Sequence, residues 1–315
     1  GIKDHADKEI HIGVVGKYFN TGDFILSDAY ISVLEAVKFS AYANKIKAVI
    51  HTINARDFER EENGVGSGGA SGGRRGRGAG ATPAGVDSDP QEPTPFSDLN
   101  RLDGIIVPGG FGASGIEGKL NVIKYVRENN IPYFGLCYGM QLMTVEYARN
   151  VLGLHGAHTT EIDPKSPHPV IDVMPDQKEK IAKGDMGGTM RLGLYPARLG
   201  KDTVAQEAYS YFENKKLPKP TTVIKERHRH RYEVNSKYIE RLEKAGLVFS
   251  GRSPDGRLME IAELPRDKHP FFLGTQFHPE FLARPLLPHP LFTEFLKAAK
   301  TRKKGRVVIE ENTSA

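Results

Sequence analysis

Short apolar runs rich in β-branched residues alternate along this chain with longer amphipathic segments. In the first half, the strand-like runs cover residues 11–18, 45–53, 102–108 and 131–136, and the helix-like segments cover 27–43, 117–129 and 139–152. Further strands are expected at 170–174, 221–225, 247–251, 258–264 and 271–277, with a closing helix from Phe292 to Ala299. This alternation predicts an α/β fold of three layers, with a mostly parallel, flavodoxin-like central sheet and helices on both faces. The functional site is then expected at the carboxyl edge of the strands.

Residues 63–95 interrupt this pattern with a stretch dominated by glycine and arginine. Such a composition cannot bury enough apolar surface to offset the entropy lost on ordering, so we predict a disordered insertion. This insertion could be an arginine–glycine segment that contacts nucleic acid, or a regulatory tether. It could also be a loop extension, which a fold tolerates at small entropic cost, and we favour the loop. We predict one domain over residues 1–300 and a flexible, solvated tail over 301–315.

Composition narrows the class of protein. With 315 residues and 38% hydrophobic content, the chain can bury a full core. Its net charge of +5 is modest and gives no reason to expect nucleic acid as a partner. A single cysteine excludes an internal disulfide and fits a reducing compartment, so we expect a cytoplasmic protein. There is no signal-peptide pattern and no apolar run near the ~20 residues that a membrane helix requires, so no membrane partner is expected.

The single cysteine, Cys137, lies in the motif Gly-x-Cys-x-Gly between a strand-like run and a helix-like segment. A strand that turns abruptly into a helix needs small residues on both sides of the bend, because there is no room for Cβ atoms. The turn would expose the thiol beside a helix N-terminus, whose partial positive charge favours the thiolate. A free cysteine is more commonly a small buried hydrophobe, but the flanking glycines favour a nucleophile.

A nucleophilic thiol needs a base and a group that orients the base. His278 and Glu280 follow a buried strand in the sequence Phe-His-Pro-Glu. If extended geometry continues to that point, the two side chains lie on the same side. Glu280 would then hold one imidazole nitrogen while the other faces Cys137.

An oxyanion hole is the third expected part of the site. The strand ending at Val107 runs into a glycine-rich loop, which can direct a backbone N–H at a developing oxyanion. The backbone N–H of Tyr138, next after the cysteine, supplies a second donor. The alternatives are a plain tight turn or a phosphate-binding loop, but the chain lacks the P-loop motif.

Four histidines raise the question of a metal: His228, His230, His269 and His278. Arginines interleave with the first two, and their positive charge would oppose a bound cation. We expect no metal.

These motifs together resemble a known family. Residues 135–141 with residues 277–280 are similar to the triad-type, class I glutamine amidotransferases. Three longer stretches, 108–119, 187–193 and 226–235, resemble the glutaminase domain of the cytidine triphosphate synthases. The resemblance covers most of the chain outside residues 60–97 and the last fifteen residues. It implies the class I amidotransferase fold.

The resemblance also implies roles for individual residues. Cys137 would attack the side-chain amide of L-glutamine, with His278 as base and then acid and Glu280 as its orienter. Gly110 and Tyr138 would supply the oxyanion donors and lie against the bound glutamine.

Three further positions match glutamine-binding residues of the family. Gln141 and Glu161 would recognise the substrate, with Glu161 suited to the α-ammonium group. Arg231 would hold the α-carboxylate, which a guanidinium fork binds with two hydrogen bonds.

The chain departs from the family pattern at two points. Tyr138 stands where many of these synthases have leucine and where guanosine monophosphate synthetases often have tyrosine, so the amidotransferase of another ligase stays an alternative. The chain also begins at Gly1 with no room for the amidoligase half, which in the family uses ATP, magnesium and uridine triphosphate. We therefore expect an excised domain that needs no cofactor itself, hydrolyses glutamine, and supplies ammonia to that partner domain in a homo-oligomeric full-length enzyme.

Two other functions stay open at this point. The chain could be a stand-alone cysteine hydrolase such as a γ-glutamyl peptidase. It could also be an assembly or RNA-binding module whose function lies in the arginine–glycine insertion. The resemblance suggests guanosine triphosphate as an allosteric ligand. The residues themselves do not indicate which ligand regulates the enzyme.

Overall fold

The computed structural model describes residues 9–16, 24–59, 95–110, 112–174, 190–213 and 220–313. The predicted disordered insertion at 63–95 lies outside the described residues except for Pro95, and it stays a prediction. The same holds for the first three residues of the 187–193 motif.

The strands and helices follow the predicted alternation, with additional elements in the second half. The strands are β1 (Glu9–Gly16), β2 (Lys47–Asn54), β3 (Gly104–Val107), β4 (Tyr133–Leu136), β5 (Ala157–Thr159), β6 (His168–Val173), β7 (Arg191–Leu199), β8 (Val223–His230), β9 (Tyr232–Val234), β10 (Val248–Arg252), β11 (Met259–Leu264) and β12 (Phe272–Thr275). The helices are α1 (Phe24–Ala43), α2 (Pro95–Leu99), α3 (Ile116–Glu128), α4 (Tyr138–Asn150), α5 (Val204–Glu213), α6 (Ser236–Lys244) and α7 (Pro290–Thr313). Every strand and helix expected from the sequence is present.

Within the described residues, one nine-stranded sheet has the order β2-β1-β3-β4-β12-β11-β10-β7-β8. The first five strands in this order are mutually parallel, and the remaining pairs are antiparallel. A small second sheet has the order β5-β6-β9. The α/β class is confirmed, with a parallel half that holds the site and an antiparallel half beyond β12.

Helices cover both faces of the large sheet, as predicted. On one face α1, α5 and α7 bury an apolar cluster that includes Val33, Tyr209 and Phe295. On the other face α2, α3, α4 and α6 bury a second cluster that includes Leu99, Val126 and Leu242. Burial of the sheet from both sides explains why β3 and β4 are continuous apolar runs without polar alternation.

The closing helix extends past the point where we expected a flexible tail to begin. Helix α7 runs to Thr313 instead of ending near Ala299. The reason is that its later turns bind the edge of the sheet: Arg306 pairs with the buried carboxylate of Asp103 at 2.7 Å, and Lys303 donates to the carbonyl of Glu9. The sequence alone shows only basic residues here, and their partners lie 203 and 294 positions away along the chain.

The parallel strands bring three chain segments to one edge. Strands β3, β4 and β12 are neighbours that run in the same direction, so their carboxyl ends lie side by side. The glycine loop follows β3, Cys137 follows β4, and Gln276 to Glu280 follow β12. Among the described residues, no helix is long and apolar enough to cross a bilayer.

Candidate active site

Cys137 occupies a sharp turn between β4 and α4. Its φ of 49° and ψ of −97° lie in a region that L-residues rarely adopt, so the backbone is strained there. A Cβ at Gly139 would lie 2.1 Å from the carbonyl oxygen of Val107, and a Cβ at Gly135 would lie 2.7 Å from the carbonyl carbon of Gly139. The expected steric reason for both glycines of the motif is therefore confirmed.

Backbone hydrogen bonding fixes the cysteine at the start of α4. Its N–H donates to the carbonyl of Thr275 on β12 at 2.6 Å. The side chain is buried, and helix α4 begins with Tyr138, whose N–H belongs to the first turn and has no intrahelical acceptor. The sulfur thus lies beside the positive end of a buried helix.

His278 and Glu280 form the expected pair, by a different backbone geometry. The imidazole Nδ1 lies 2.7 Å from Oε1 of Glu280, and both side chains are buried. Strand β12 already ends at Thr275, and Pro279–Phe281 form a 3₁₀ turn. The extended continuation that we expected is therefore wrong, and the turn brings the carboxylate back to the ring.

The thiol and the imidazole meet across Gly109. A Cβ at that glycine would lie 2.8 Å from Cε1 of His278 and 3.6 Å from Cβ of Cys137, so both side chains flank this one backbone position. Burial lowers the pKa of His278, but the charge and hydrogen bond of the Cys137 sulfur, together with the Glu280 carboxylate, raise it to about 10. The imidazole of His278 therefore carries its second proton at neutral pH.

A cavity of about 280 Å³ opens next to this pair. Its lining includes Gly109, Gly110, Cys137 and His278. A Cβ built on Gly110 meets no atom within 4 Å, so the backbone of this loop faces open space. Gly110 lines this cavity after the end of β3, and Tyr138 directly follows Cys137 after the end of the neighbouring β4, so the oxyanion role of their N–H groups stays a prediction.

The structure buries Gln141 one turn after the nucleophile on α4. Its Nε2 donates to the carbonyl of Tyr232 at 3.0 Å and to Oε1 of Gln276 at 3.3 Å. Because the amide nitrogen has two hydrogens and both are used, any contact with a substrate falls to Oε1.

Glu161 and Arg231 are both half-buried. The Glu161 carboxylate accepts from the N–H of Gly112 at 3.5 Å. Burial first, and then the nearby Glu161 charge, raises the pKa of Tyr138 and of Tyr232. Glu161 therefore faces the first turn of α4, while Arg231 stands between β8 and β9 next to Tyr232.

Two further side chains contact the reactive groups. Gln276 is fully buried, and its Nε2 lies 3.7 Å from the sulfur of Cys137. The ring of Phe281 stacks on His278, with centroids 4.9 Å apart and an interplanar angle of 11°. The sequence reasoning missed Gln276, because it lies beyond the end of β12, where no strand period indicates which side chains face the site.

The histidines considered for a metal site lie apart or are neutralised by burial. Among the described residues, no group of three or more His, Cys, Asp or Glu is arranged to hold a metal ion. His228 and His230 are neighbours at 2.9 Å between ring nitrogens, and burial lowers their pKa values to about 2 and about 3.

Comparison with known proteins identifies the family. The profile of "Glutamine amidotransferase class-I" matches residues 25–298, which is most of the chain. The chain belongs to the class I glutamine amidotransferases. Its amidotransferase fold and its single nucleophilic elbow agree with the resemblance seen in the sequence.

Among the most similar of the curated proteins compared are amidotransferases of one kind, the CTP synthases. The CTP synthase of Thermococcus gammatolerans is 46% identical over 300 residues, which cover 95% of this chain and 46% of that protein. The CTP synthase of Staphylococcus carnosus is 45% identical over 306 residues, covering 97% of this chain and 47% of the relative. The chain therefore spans about half the length of the curated relatives that it matches.

A solved structure supplies the same assignment. The glutaminase domain of Trypanosoma brucei CTPS, with bound acivicin, is 32% identical to this chain and superposes with a TM-score of 0.71. The match covers 93% of this chain and 94% of that one. The predicted resemblance to the glutaminase domain of the CTP synthases is confirmed.

Proposed function

We propose that this amidotransferase domain hydrolyses L-glutamine to glutamate and ammonia through a thioester on Cys137. The observation that carries the proposal is the chain of contacts from the Cys137 sulfur through the His278 imidazole to the Glu280 carboxylate at the end of three parallel strands. Such a constellation supports nucleophilic catalysis of acyl transfer.

In the first half-reaction, His278 has already taken the thiol proton, and the Cys137 thiolate attacks the side-chain amide carbon of glutamine. The electron pair of the carbonyl moves to oxygen, where the N–H groups of Gly110 and Tyr138 stabilise the negative charge. The imidazolium then gives its proton to the amide nitrogen, the C–N bond breaks, and ammonia leaves. Glu280 holds the ring in position throughout, and Phe281 stacks on it.

In the second half-reaction, the neutral His278 accepts a proton from water as the water oxygen attacks the thioester carbon. The C–S bond breaks and glutamate is released. The sulfur leaves as thiolate beside an imidazolium, which is the state that the raised pKa of His278 favours at rest. Both steps use only side chains and backbone groups of this chain, with glutamine and water as the reactants.

The α-substituents of glutamine are assigned to two half-buried residues of opposite charge. Glu161 would hold the α-ammonium group and Arg231 the α-carboxylate, with Gln141 accepting through Oε1. Recognition of both charges selects a free amino acid with its side-chain amide turned toward Cys137.

The biological reaction extends beyond this chain. Since the matched relatives are CTP synthases about twice as long, we propose that the ammonia serves an amidoligase domain that aminates UTP to CTP. ATP and Mg²⁺ belong to that domain in this proposal, and the full-length enzyme is a cytoplasmic homo-oligomer. The alternatives of a γ-glutamyl hydrolase, another ligase's amidotransferase, or an RNA-binding module gain no support from these relatives.

Glutamate release by the wild-type chain and by Cys137→Ala tests the proposal. We expect release in the wild type only, and equal rates in both would overturn the nucleophile assignment. Because the chain has one cysteine, its alkylation by iodoacetamide reports on Cys137 alone even where turnover is slow. Glutamine, or the acivicin found in the trypanosomal domain, is expected to protect Cys137 from alkylation, and lack of protection would argue against a glutamine site.

A further inference from the structure

A chain of two buried amide side chains, Gln141 and Gln276, leads to the nucleophile. Gln276 has no exposed surface, and its Nε2 lies 3.7 Å from Sγ of Cys137. Its Oε1 accepts from Nε2 of Gln141 at 3.3 Å, and that nitrogen also donates to the carbonyl of Tyr232 at 3.0 Å. The three links connect the reactive sulfur to the backbone of β9.

The backbone end of this chain fixes the direction of every hydrogen bond in it. A carbonyl oxygen can only accept, so the atom of Gln141 that faces Tyr232 must be the amide nitrogen. Its second hydrogen then points at Gln276, which must present Oε1. The nitrogen of Gln276 is consequently the atom turned toward the sulfur, where it can only donate.

The charged and titratable groups near the sulfur lie on several strands. Burial first, then the neighbouring Glu260 and also Cys137 raise the pKa of Glu233 well above its usual range, while Arg191 lowers it. Arg191 compensates Glu260 at 2.8 Å. Burial lowers the pKa values of His228 and His230 on β8. Arg229, between them, lines the cavity, and its carbonyl oxygen lies 4.0 Å from the sulfur. His278, paired with Glu280, lies against Gly109.

We infer that Gln276 donates a hydrogen bond to the Cys137 thiolate, and that Gln141 is a positioning residue that orients the Gln276 amide for this purpose. The inference rests on the proposed nucleophilic role of Cys137. Gln276, two residues before His278, would then help to stabilise the thiolate before any substrate binds. Hydrogen bonds to charged groups stabilise by roughly twice as much as neutral ones.

The pH dependence of Cys137 alkylation measures this contribution directly. Iodoacetamide reacts with the thiolate, and the chain has only one cysteine. In Gln276→Met, which keeps the length of the side chain without the N–H, we expect the midpoint of the rate profile to move upward by about one pH unit. Gln276→Glu is expected to move it at least as far, because it removes the donor and places a second acid beside the sulfur.

Gln206→Met is the matched control. Gln206 is also a buried glutamine, and it accepts from the N–H of Asp202 and donates to the carbonyl of Thr221, far from the cavity. We expect this change to lower thermal stability without moving the alkylation midpoint. Gln141→Met removes the hydrogen bond that orients the Gln276 amide, so it is expected to shift the alkylation midpoint in the same direction as Gln276→Met. It provides an independent measurement if one variant folds poorly.

Two outcomes would overturn the inference. One is an unchanged midpoint in Gln276→Met and Gln276→Glu. The other is a rate lowered by the same factor at every pH, which would mean that Gln276 only packs against the sulfur. Protection of wild-type Cys137 by glutamine separates this failure from a failure of the proposed function. If only the inference about Gln276 is wrong, glutamine still protects Cys137 from alkylation; if the proposed function is wrong, it does not.

Discussion

Replacing Gly109 by alanine places a methyl group between the two reacting side chains. The added Cβ would lie 2.8 Å from Cε1 of His278 and 3.6 Å from Cβ of Cys137. Ordinary contacts between carbon atoms are about 3.5–4.0 Å, so the imidazole must retreat by about 1 Å while the cysteine keeps its place. A displacement of about 1 Å at a reacting group lowers the rate by about 100-fold.

The assay is the steady-state rate of glutamate release, measured with the alkylation rate of Cys137 and with thermal unfolding. We expect a loss of about 100-fold in kcat with an unchanged KM, because the methyl group acts on the imidazole. Gly200→Ala is the control, since its Cβ would make its nearest contact at 3.4 Å and lies far from the site. Activity of Gly109→Ala within threefold of the wild type would refute the placement of His278 against this loop.

Three further changes test separate parts of the account. Glutamate release should fall as pH rises through about 10, where His278 loses the proton that it gives to ammonia; a rate that is undiminished above that pH would contradict this. The same raised pKa stabilises the fold fully below 6.5, and that contribution is lost as pH rises through about 10. Arg231→Ala should raise KM for glutamine about 10- to 100-fold with a smaller effect on kcat, whereas the exposed Arg198→Ala should change neither, and equal KM values would remove Arg231 from the glutamine site. Gly305→Ala, on an exposed position of α7 with no atom near its Cβ, should raise the free energy of unfolding by about 0.5–1 kcal/mol in denaturant titrations, and no gain would contradict a continuous helix there.

Local steric rules made the nucleophile predictable from the sequence. The bend at Cys137 requires glycine on both sides because α4 crosses directly over the end of β3, and this requirement is visible in five consecutive residues. The strand ends that carry the glycine loop and His278 were predictable for a similar reason, since buried parallel strands are continuous apolar runs.

Contacts between distant segments were not predictable in the same way. Strand β7 was missed because it carries glycine, proline and arginine, and its alternating leucines, Leu192 and Leu194, are exposed in the structure. Strand β8 buries Glu226, His228 and His230 on its inner side, so its core-facing positions look polar in the sequence. Their burial depends on partners such as Arg191 and Glu260, which lie on other strands.

The bond from His278 to Glu280 shows how a correct pairing can follow from a wrong local geometry. An extended backbone was expected, but Pro279 begins a 3₁₀ turn, which also brings the Phe281 ring onto the imidazole. The sequence indicated which groups meet, and the turn explains how the ring is held from two sides.

Covalent labelling by a glutamine-mimicking diazoketone tests most directly the claim that a strained turn presents Cys137 to His278 as the nucleophile. The wild-type chain, Cys137→Ala and His278→Asn are incubated with the reagent, and the adduct is located by peptide mass. The account predicts an adduct on the peptide that contains Cys137 in the wild type, none in Cys137→Ala, and much slower formation in His278→Asn. An adduct at another residue, or an equal rate in His278→Asn, would contradict it.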